Sequence, residues 1–274
     1  MDRCSSALRN LIVNLTGFQM PSTVLGIPLP LLAAATAVFM LAGIVKGVVG
    51  LGLPTISMAL LALMMPPSQA AALLIVPSLI TNLWQLRPWA TLGPLLRRLV
   101  PMQVGVCVGT LTGAWLLGAP SGSWAMAALG AVLIGYAAWS LSGACLSVPH
   151  GAETGLGPLM GAATGVVTAA TGVFVVPAVP YLQALDLSRD ELIQAMGISF
   201  TVSTVVLAIG LFFNERYSVG DASTSLLMLA PALIGMSLGQ YLRQKLSPAL
   251  FRKCFLGSLI ALGLHMIVRE ALAQ

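Results

Sequence analysis

Apolar residues in this chain come in long blocks, at roughly 28–48, 53–65, 69–86, 99–118 and 124–142, and again at roughly 156–169, 173–185, 191–213, 223–242 and 250–268. A helix that crosses a bilayer needs about 20 predominantly apolar residues, and fewer where neighbours bury it. The blocks therefore predict about ten transmembrane segments, several of them short. The second set of five repeats the first. Gly43-Ile44-Val45-Lys46-Gly47-Val48-Val49 parallels Gly161-Ala162-Ala163-Thr164-Gly165-Val166-Val167, and Pro101-x3-Gly105-x3-Gly109 parallels Pro231-x3-Gly235-x3-Gly239, in the same order within each half. The expected fold is an all-α membrane protein of two five-segment repeats, 28–145 and 156–270, joined by a linker at 146–155. Residues 1–27 carry Arg3 and Arg9, and their apolar stretch is interrupted by Asn14, Thr16 and Gly17. They lack the core and cleavage pattern of a signal peptide and read as a retained tail or interfacial segment.

Charge decides how the halves are oriented. Only 8% of the 274 residues are charged and 58% are hydrophobic, against about a quarter charged in soluble domains. The balance of +5 comes from basic residues in short loops between apolar runs, which marks topology and not nucleic-acid binding. Arg87, Arg97 and Arg98 follow the third run, whereas Arg243, Lys245, Arg252 and Lys253 follow the ninth. If both clusters face the cytoplasm, an odd number of crossings separates equivalent points of the repeats. The halves are then inverted, with both termini on the outer side. Cys4, Cys107, Cys145 and Cys254 are scattered without a C-x-x-C spacing, so they read as apolar filler. No nucleotide-binding loop, G-x-S-x-G elbow or H-E-x-x-H helix occurs, which argues against an enzyme or an ATP-driven pump and implies no cofactor.

The chemistry concentrates where the first run is interrupted. Gly47, Gly50, Gly52 and Pro54 destabilise a continuous helix at membrane depth, and freed backbone groups there are tolerable only where protein or a cavity receives them. Pro54 suits the first turn of a following half-helix, whose N–H groups, Thr55 among them, would face an anion. Thr164, Thr168, Thr171 and Gly172 occupy the matching place in the second half, so two half-helix N-termini are expected to converge. Lys46 is the only clearly intramembrane cation, and a charge at that depth costs several kcal/mol unless paired or hydrated. It reads either as a snorkelling lysine or as the counter-charge of an anionic substrate. All eight acids, Asp2, Glu153, Asp186, Asp190, Glu191, Glu215, Asp221 and Glu270, fall at loops, segment ends or termini, unlike the buried acids of cation carriers. Thr81, Asn82 and Gln85 on the third run, and Ser199, Thr201, Ser203 and Thr204 on the eighth, read as helix–helix hydrogen-bonding groups or substrate contacts. His265, in the last span, reads as an interior pairing group or a proton carrier.

Four stretches carry a resemblance: Gly43 to Pro54, Pro66-Pro67-Ser68-Gln69-Ala70-Ala71-Ala72, Pro77 to Gln85 ending in Asn82-Leu83-Trp84-Gln85, and Gly197-Ile198-Ser199-Phe200. With these the chain, from about 30 to 268, resembles the TauE/SafE family of sulfite and organosulfonate exporters. The resemblance implies a multi-pass permease of a bacterial inner membrane that moves sulfur-containing anions such as sulfite or sulfoacetate outward. Both termini would then be periplasmic. The second half departs from the glycine-dense pattern, with Thr168 and Ala170 where Gly50 and Gly52 stand. The partners expected are a small anionic substrate and the lipid bilayer, with a homodimer as the candidate assembly and no nucleic acid. The rival readings are proton-coupled import of a sulfur anion or organic acid through Lys46 or His265, and a non-transporting membrane scaffold.

Overall fold

The structure is a computed structural model that describes residues 23–24, 27–87, 89–143, 146–217, 219–245 and 248–272. Most of the tail read at 1–27, including Asn14, and the cysteines Cys4 and Cys145 lie outside the described residues.

The apolar blocks form ten α-helices among the described residues. The first half holds α1 (Leu29–Val49), α2 (Leu53–Leu61), α3 (Pro67–Trp84), α4 (Trp89–Leu117) and α5 (Gly122–Ser142). The second holds α6 (Glu153–Thr171), α7 (Ala178–Gln183), α8 (Arg189–Phe213), α9 (Val219–Arg243) and α10 (Pro248–Leu272), preceded by a 3-10 turn at His150–Ala152. Ahead of α1, a two-residue antiparallel ladder pairs Thr23 with Pro28 and Val24 with Ile27, a small addition to the all-helical fold. Six helices, α1, α4, α5, α8, α9 and α10, are long and apolar enough to cross a bilayer. The protein is thus a multi-pass helical membrane protein. The other four are shorter or more polar: α2 has nine residues and α7 six, α3 carries Gln69, Thr81 and Asn82, and α6 carries Thr164, Thr168 and Thr171.

The helices pack in a reciprocal pattern. Helix α1 runs along α9 and α6 along α4; α3 crosses α9 and α8 crosses α4; α3 meets α8, and α5 meets α10. Exchanging α1 with α6, α3 with α8, α4 with α9 and α5 with α10 leaves this set of contacts unchanged. Glycine explains the closest approaches, because a missing Cβ lets two backbones touch. A Cβ on Gly43 or Gly47 would meet the α9 carbonyls of Ala232 or Met236, and one on Gly161 or Gly165 would meet the α4 carbonyls of Met102 or Val106.

Helix ends meet in two groups. On one side Gln194, at the start of α8, donates its Nε2 to the Leu86 carbonyl just past α3 (2.6 Å), and Arg252 of α10 donates to Ser140 Oγ at the end of α5 (2.9 Å). On the other, Asn214 past α8 donates to the Ala114 carbonyl of α4 (3.3 Å), and Arg269 of α10 reaches the Leu63 carbonyl past α2 (3.4 Å).

Helix α3 is interrupted by Pro77, which has no N–H to offer the Leu73 carbonyl one turn earlier. Ser225 of α9 repairs the gap: its hydroxyl donates to Leu73 O (2.7 Å) and accepts from the Val76 N–H (3.0 Å). Ser225→Ala strands both backbone groups, at a cost of about 1–3 kcal/mol. A lowered midpoint in detergent unfolding, with folding retained, is the expected result.

Candidate functional site

Helix α1 ends because Gly50 takes a left-handed conformation (φ 86°) and returns its N–H to the Lys46 carbonyl (2.8 Å). Gly52 is again left-handed (φ 117°), and α2 starts at once with Pro54 in its first turn. Side chains with a Cβ rarely adopt such angles, which is why glycine stands at both places. The carbonyl of Gly50, left without a helical partner, accepts from Gln85 Nε2 at the end of α3 (2.5 Å). The break of α1 is thereby tied to α3.

Lys46 sits one turn before this break with 3% of its surface exposed. Its Nζ donates to Thr81 Oγ1 (3.0 Å) and Asn82 Oδ1 (2.5 Å), both on α3 and both fully buried. An ammonium has three N–H donors, and these two bonds use two of them. Neither acceptor is charged, so the positive charge is hydrogen-bonded but not neutralised. The amide Nδ2 of Asn82 and the hydroxyl of Ser78, one turn earlier on α3, are buried without a hydrogen-bond partner among the described residues. The same holds for Thr55 Oγ1 and Ser57 Oγ in α2, just past the break. Buried polar groups are rarely left in this state, so unmet hydrogen-bonding capacity collects on α3, where Asn82 holds the lysine, and on the start of α2 past the break.

A cavity of about 540 Å³ is lined by Lys46, Gly47 and Gly50 together with Arg87, Arg243, Gln85, Gln240 and Gln244. Arg87 is held over the Trp84 ring at 4.6 Å. No carboxylate among the described residues lines this cavity. Glu153, the acid at the start of α6, is engaged by Arg98 (2.7 Å). Three cations and no acid give the cavity a positive potential, which such a concave low-dielectric site focuses.

The sequence-derived candidates separate into three groups. Lys46, Gly47, Gly50 and Gln85 line the cavity and Asn82 touches it through Lys46, while Gly52, Pro54 and Thr55 form the adjoining start of α2. Ser199 and Ser203 are buried on α8, where Ser199 accepts from Gln103 Nε2 (2.9 Å). Thr164, Thr168 and Thr171 donate to carbonyls of their own helix, and Thr171 also accepts from the Val173 N–H. Gly172 ends α6 in the left-handed conformation (φ 70°). Gly161 and Gly165 contact α4 as Gly43 and Gly47 contact α9, so α6 runs one turn further before it breaks, at Gly172 and not at Thr168.

Two expectations change. No second half-helix starts directly after the break of α6: Val173, Phe174 and Val175 are fully buried outside any helix, Phe174 against Phe200 (ring centroids 5.1 Å apart), and α7 is only six residues long. A run of β-branched and aromatic residues is a poor helix start, so the two breaks are not equivalent. His265, expected in the interior, is exposed on α10 beside Leu264, Val268 and Arg269, outside the Lys46 cavity.

Arg87, Arg243, Gln240 and Gln244 were not singled out from the sequence as site residues. Their arginines were legible as topology markers, and nothing in the linear pattern brings residue 87 beside residue 243. The free cysteines Cys107 and Cys254 do not line the cavity.

No curated protein and no solved structure matches the chain. The family profile described as Sulfite exporter TauE/SafE matches residues 35–266, which hold all ten helices apart from the outer turns of the first and last. With a helix broken beside a buried lysine and that match over most of its length, the chain belongs to the sulfite exporter TauE/SafE family, a family of transporters.

Proposed function

We propose that this protein exports small sulfur-containing anions, sulfite or a short organosulfonate such as sulfoacetate, by alternating access. The observation that carries the reading is Lys46: a buried ammonium, held by two neutral acceptors with its third N–H uncommitted among the described residues, in a cavity that it lines together with two arginines and no described acid. An oxyanion of sulfur offers two or three acceptor oxygens. Lys46, the Asn82 amide and the hydroxyl of Thr55 would meet them, with Gly47, Gly50, Gly52 and Pro54 shaping the gap and Gln85 fixing it. Arg87 and Arg243 would draw the anion in. Ser199, Ser203, Thr164, Thr168, Thr171 and Gly172 would line its path on the second half.

The same reading takes the halves as an inverted repeat. The exchange symmetry of the helix contacts supports it, as does the gathering of the basic residues at one group of helix ends. That basic face would be cytoplasmic, both termini periplasmic and the membrane a bacterial inner membrane. The cavity then opens inward, and rocking one set of packed pairs against the other would expose Lys46 to the outside. A negative interior drives each negative charge outward by about 2.3 kcal/mol per 100 mV, so efflux needs no coupling ion. Proton-coupled import loses support from the exposed position of His265.

Proteoliposomes loaded with sulfite test this. An imposed potential, negative on the side of the basic face, without a pH gradient should produce sulfite efflux and a matching current. Arg87→Gln and Arg243→Gln should each raise the half-saturating anion concentration, more at low salt than at high, because screening removes steering. Strictly proton-dependent, electroneutral flux would overturn the export mechanism.

A further inference from the structure

On the same face as Arg243, but outside the Lys46 cavity, two adjoining hollows lie between α5, the start of α6 and α7. The first, of about 430 Å³, is walled almost wholly by hydrocarbon: Gly135, Trp139, Leu156, Met160, Pro180 and neighbouring residues. The second, of about 260 Å³, is polar and holds Arg252, Ser140 and Gln183. They share Trp139, Leu146, Pro180 and Ala184 as a common wall, so they form one groove with an apolar end and a cationic end. The Arg252 guanidinium is steadied by Ser140, whose Oγ and carbonyl both accept from its Nη2. No acid among the described residues forms an ion pair with it. A guanidinium carries five N–H donors in a planar fork suited to phosphate, and only Nη2 is engaged by Ser140.

We infer that this groove is a binding site for one anionic glycerophospholipid, with an acyl chain in the apolar hollow and the headgroup phosphate at Arg252. The two ends fix that choice. A free small anion would satisfy Arg252 and leave the apolar hollow wet, while a zwitterionic lipid would bring its own cation to a site that already has one. Basic pockets between membrane helices on the cytoplasmic side suit anionic headgroups, and Trp139, in the last turn of α5, is of the side-chain type that anchors at headgroup level. Because α5 also packs on α10, the lipid would bridge the two halves at a contact that the exchange of halves leaves in place. The groove's side of the membrane rests on the orientation proposed above, but the site does not depend on the anion cavity, since none of its residues lines that cavity.

The test is retention of lipid by the purified full chain, measured by native mass spectrometry and by thermal unfolding in detergent. Phosphatidylglycerol, phosphatidylcholine and glycerol 1-phosphate are compared. Phosphatidylglycerol should bind and raise the unfolding temperature; phosphatidylcholine should bind less, and glycerol 1-phosphate should do neither. Arg252→Gln should weaken phosphatidylglycerol about fivefold, the worth of one interfacial cation, and bring it level with phosphatidylcholine. Gly135→Leu should fill the apolar hollow and reduce both lipids; a Cβ there meets nothing within 4 Å and the hollow itself adjoins Gly135, and an unchanged unfolding midpoint without lipid checks that the fold is kept. Equal retention of the two lipids by the unsubstituted protein, or retention unaffected by both substitutions, would overturn the assignment. So would glycerol 1-phosphate matching the lipid, which would make the site one for free anions.

Discussion

Lys46→Met is expected to abolish most anion binding while leaving the protein folded. The thioether side chain keeps the length and the apolar stem but removes the charge and all three donors. A hydrogen bond to a charged group is worth about 1.5–3 kcal/mol, so loss of the contact to substrate alone predicts a drop in affinity of about tenfold to a hundredfold. Stability should move little. Removing a buried charge that has no acid partner relieves a desolvation cost of several kcal/mol, while Asn82 Oδ1 loses its donor at about 1–3 kcal/mol. The two oppose each other. Lys46→Arg should not rescue, because a planar fork cannot occupy the place of a compact ammonium between Thr81 and Asn82. Calorimetric titration with sulfite and the unfolding midpoint separate the two effects. Unchanged sulfite affinity in the methionine variant would remove Lys46 from the site, and collapse of the fold would make it a structural residue.

How much of this could be read beforehand depended on whether the cause was local. The α1 break was legible because left-handed angles at Gly50 and Gly52 and the helix start at Pro54 are properties of single residues. The partners of Lys46 were half legible: Thr81, Asn82 and Gln85 stood out as polar residues on an apolar run, but nothing local says that they face residue 46. The basic vestibule was missed as a site because charge counting assigns a side of the membrane, not a neighbour. Arg87 and Arg243 meet only through the packing of α1 on α9 and α9 on α3. The second break falls at Gly172, inside the stretch expected for it, one turn past the position that aligns with Gly50, because an α-helix can run on through Thr168 until a glycine permits the left-handed turn. All ten apolar blocks correspond to helices, and six of these are long and apolar enough to cross a bilayer. Hydropathy alone does not distinguish a crossing helix from a short one such as α2, which is buried along almost its whole length, or the six-residue α7.

Alanine at any of eight glycines, Gly43, Gly47, Gly235 and Gly239 at one interface and Gly105, Gly109, Gly161 and Gly165 at the other, should be strongly destabilising, and the two sets should behave alike. At each position the added Cβ would press on backbone of the facing helix, which cannot turn aside as a side chain can: Met40 or Ile44 for Gly235 and Gly239, Pro158 or Ala162 for Gly105 and Gly109. Overpacking of this kind costs about 1–3 kcal/mol, more than the gain of up to about 1 kcal/mol from replacing glycine by alanine in a helix. Gly135→Ala and Gly257→Ala serve as references, since a Cβ at either meets nothing within 4 Å and only the propensity gain remains. The signs should therefore be opposite. Pairwise combinations carry the sharper expectation. Gly47 and Gly239 face each other, each within reach of the other's Cα, so once one Cβ has parted α1 from α9 the second costs less and Gly47→Ala/Gly239→Ala should fall short of the sum. Gly47→Ala/Gly109→Ala acts on separate interfaces and should be additive within about 0.5 kcal/mol. Unfolding midpoints of the singles and the two doubles, in one detergent, give all the terms. Neutral behaviour at Gly239 would mean that α1 and α9 do not approach at backbone distance, and the reciprocal packing on which the exchange of halves rests would fail with it.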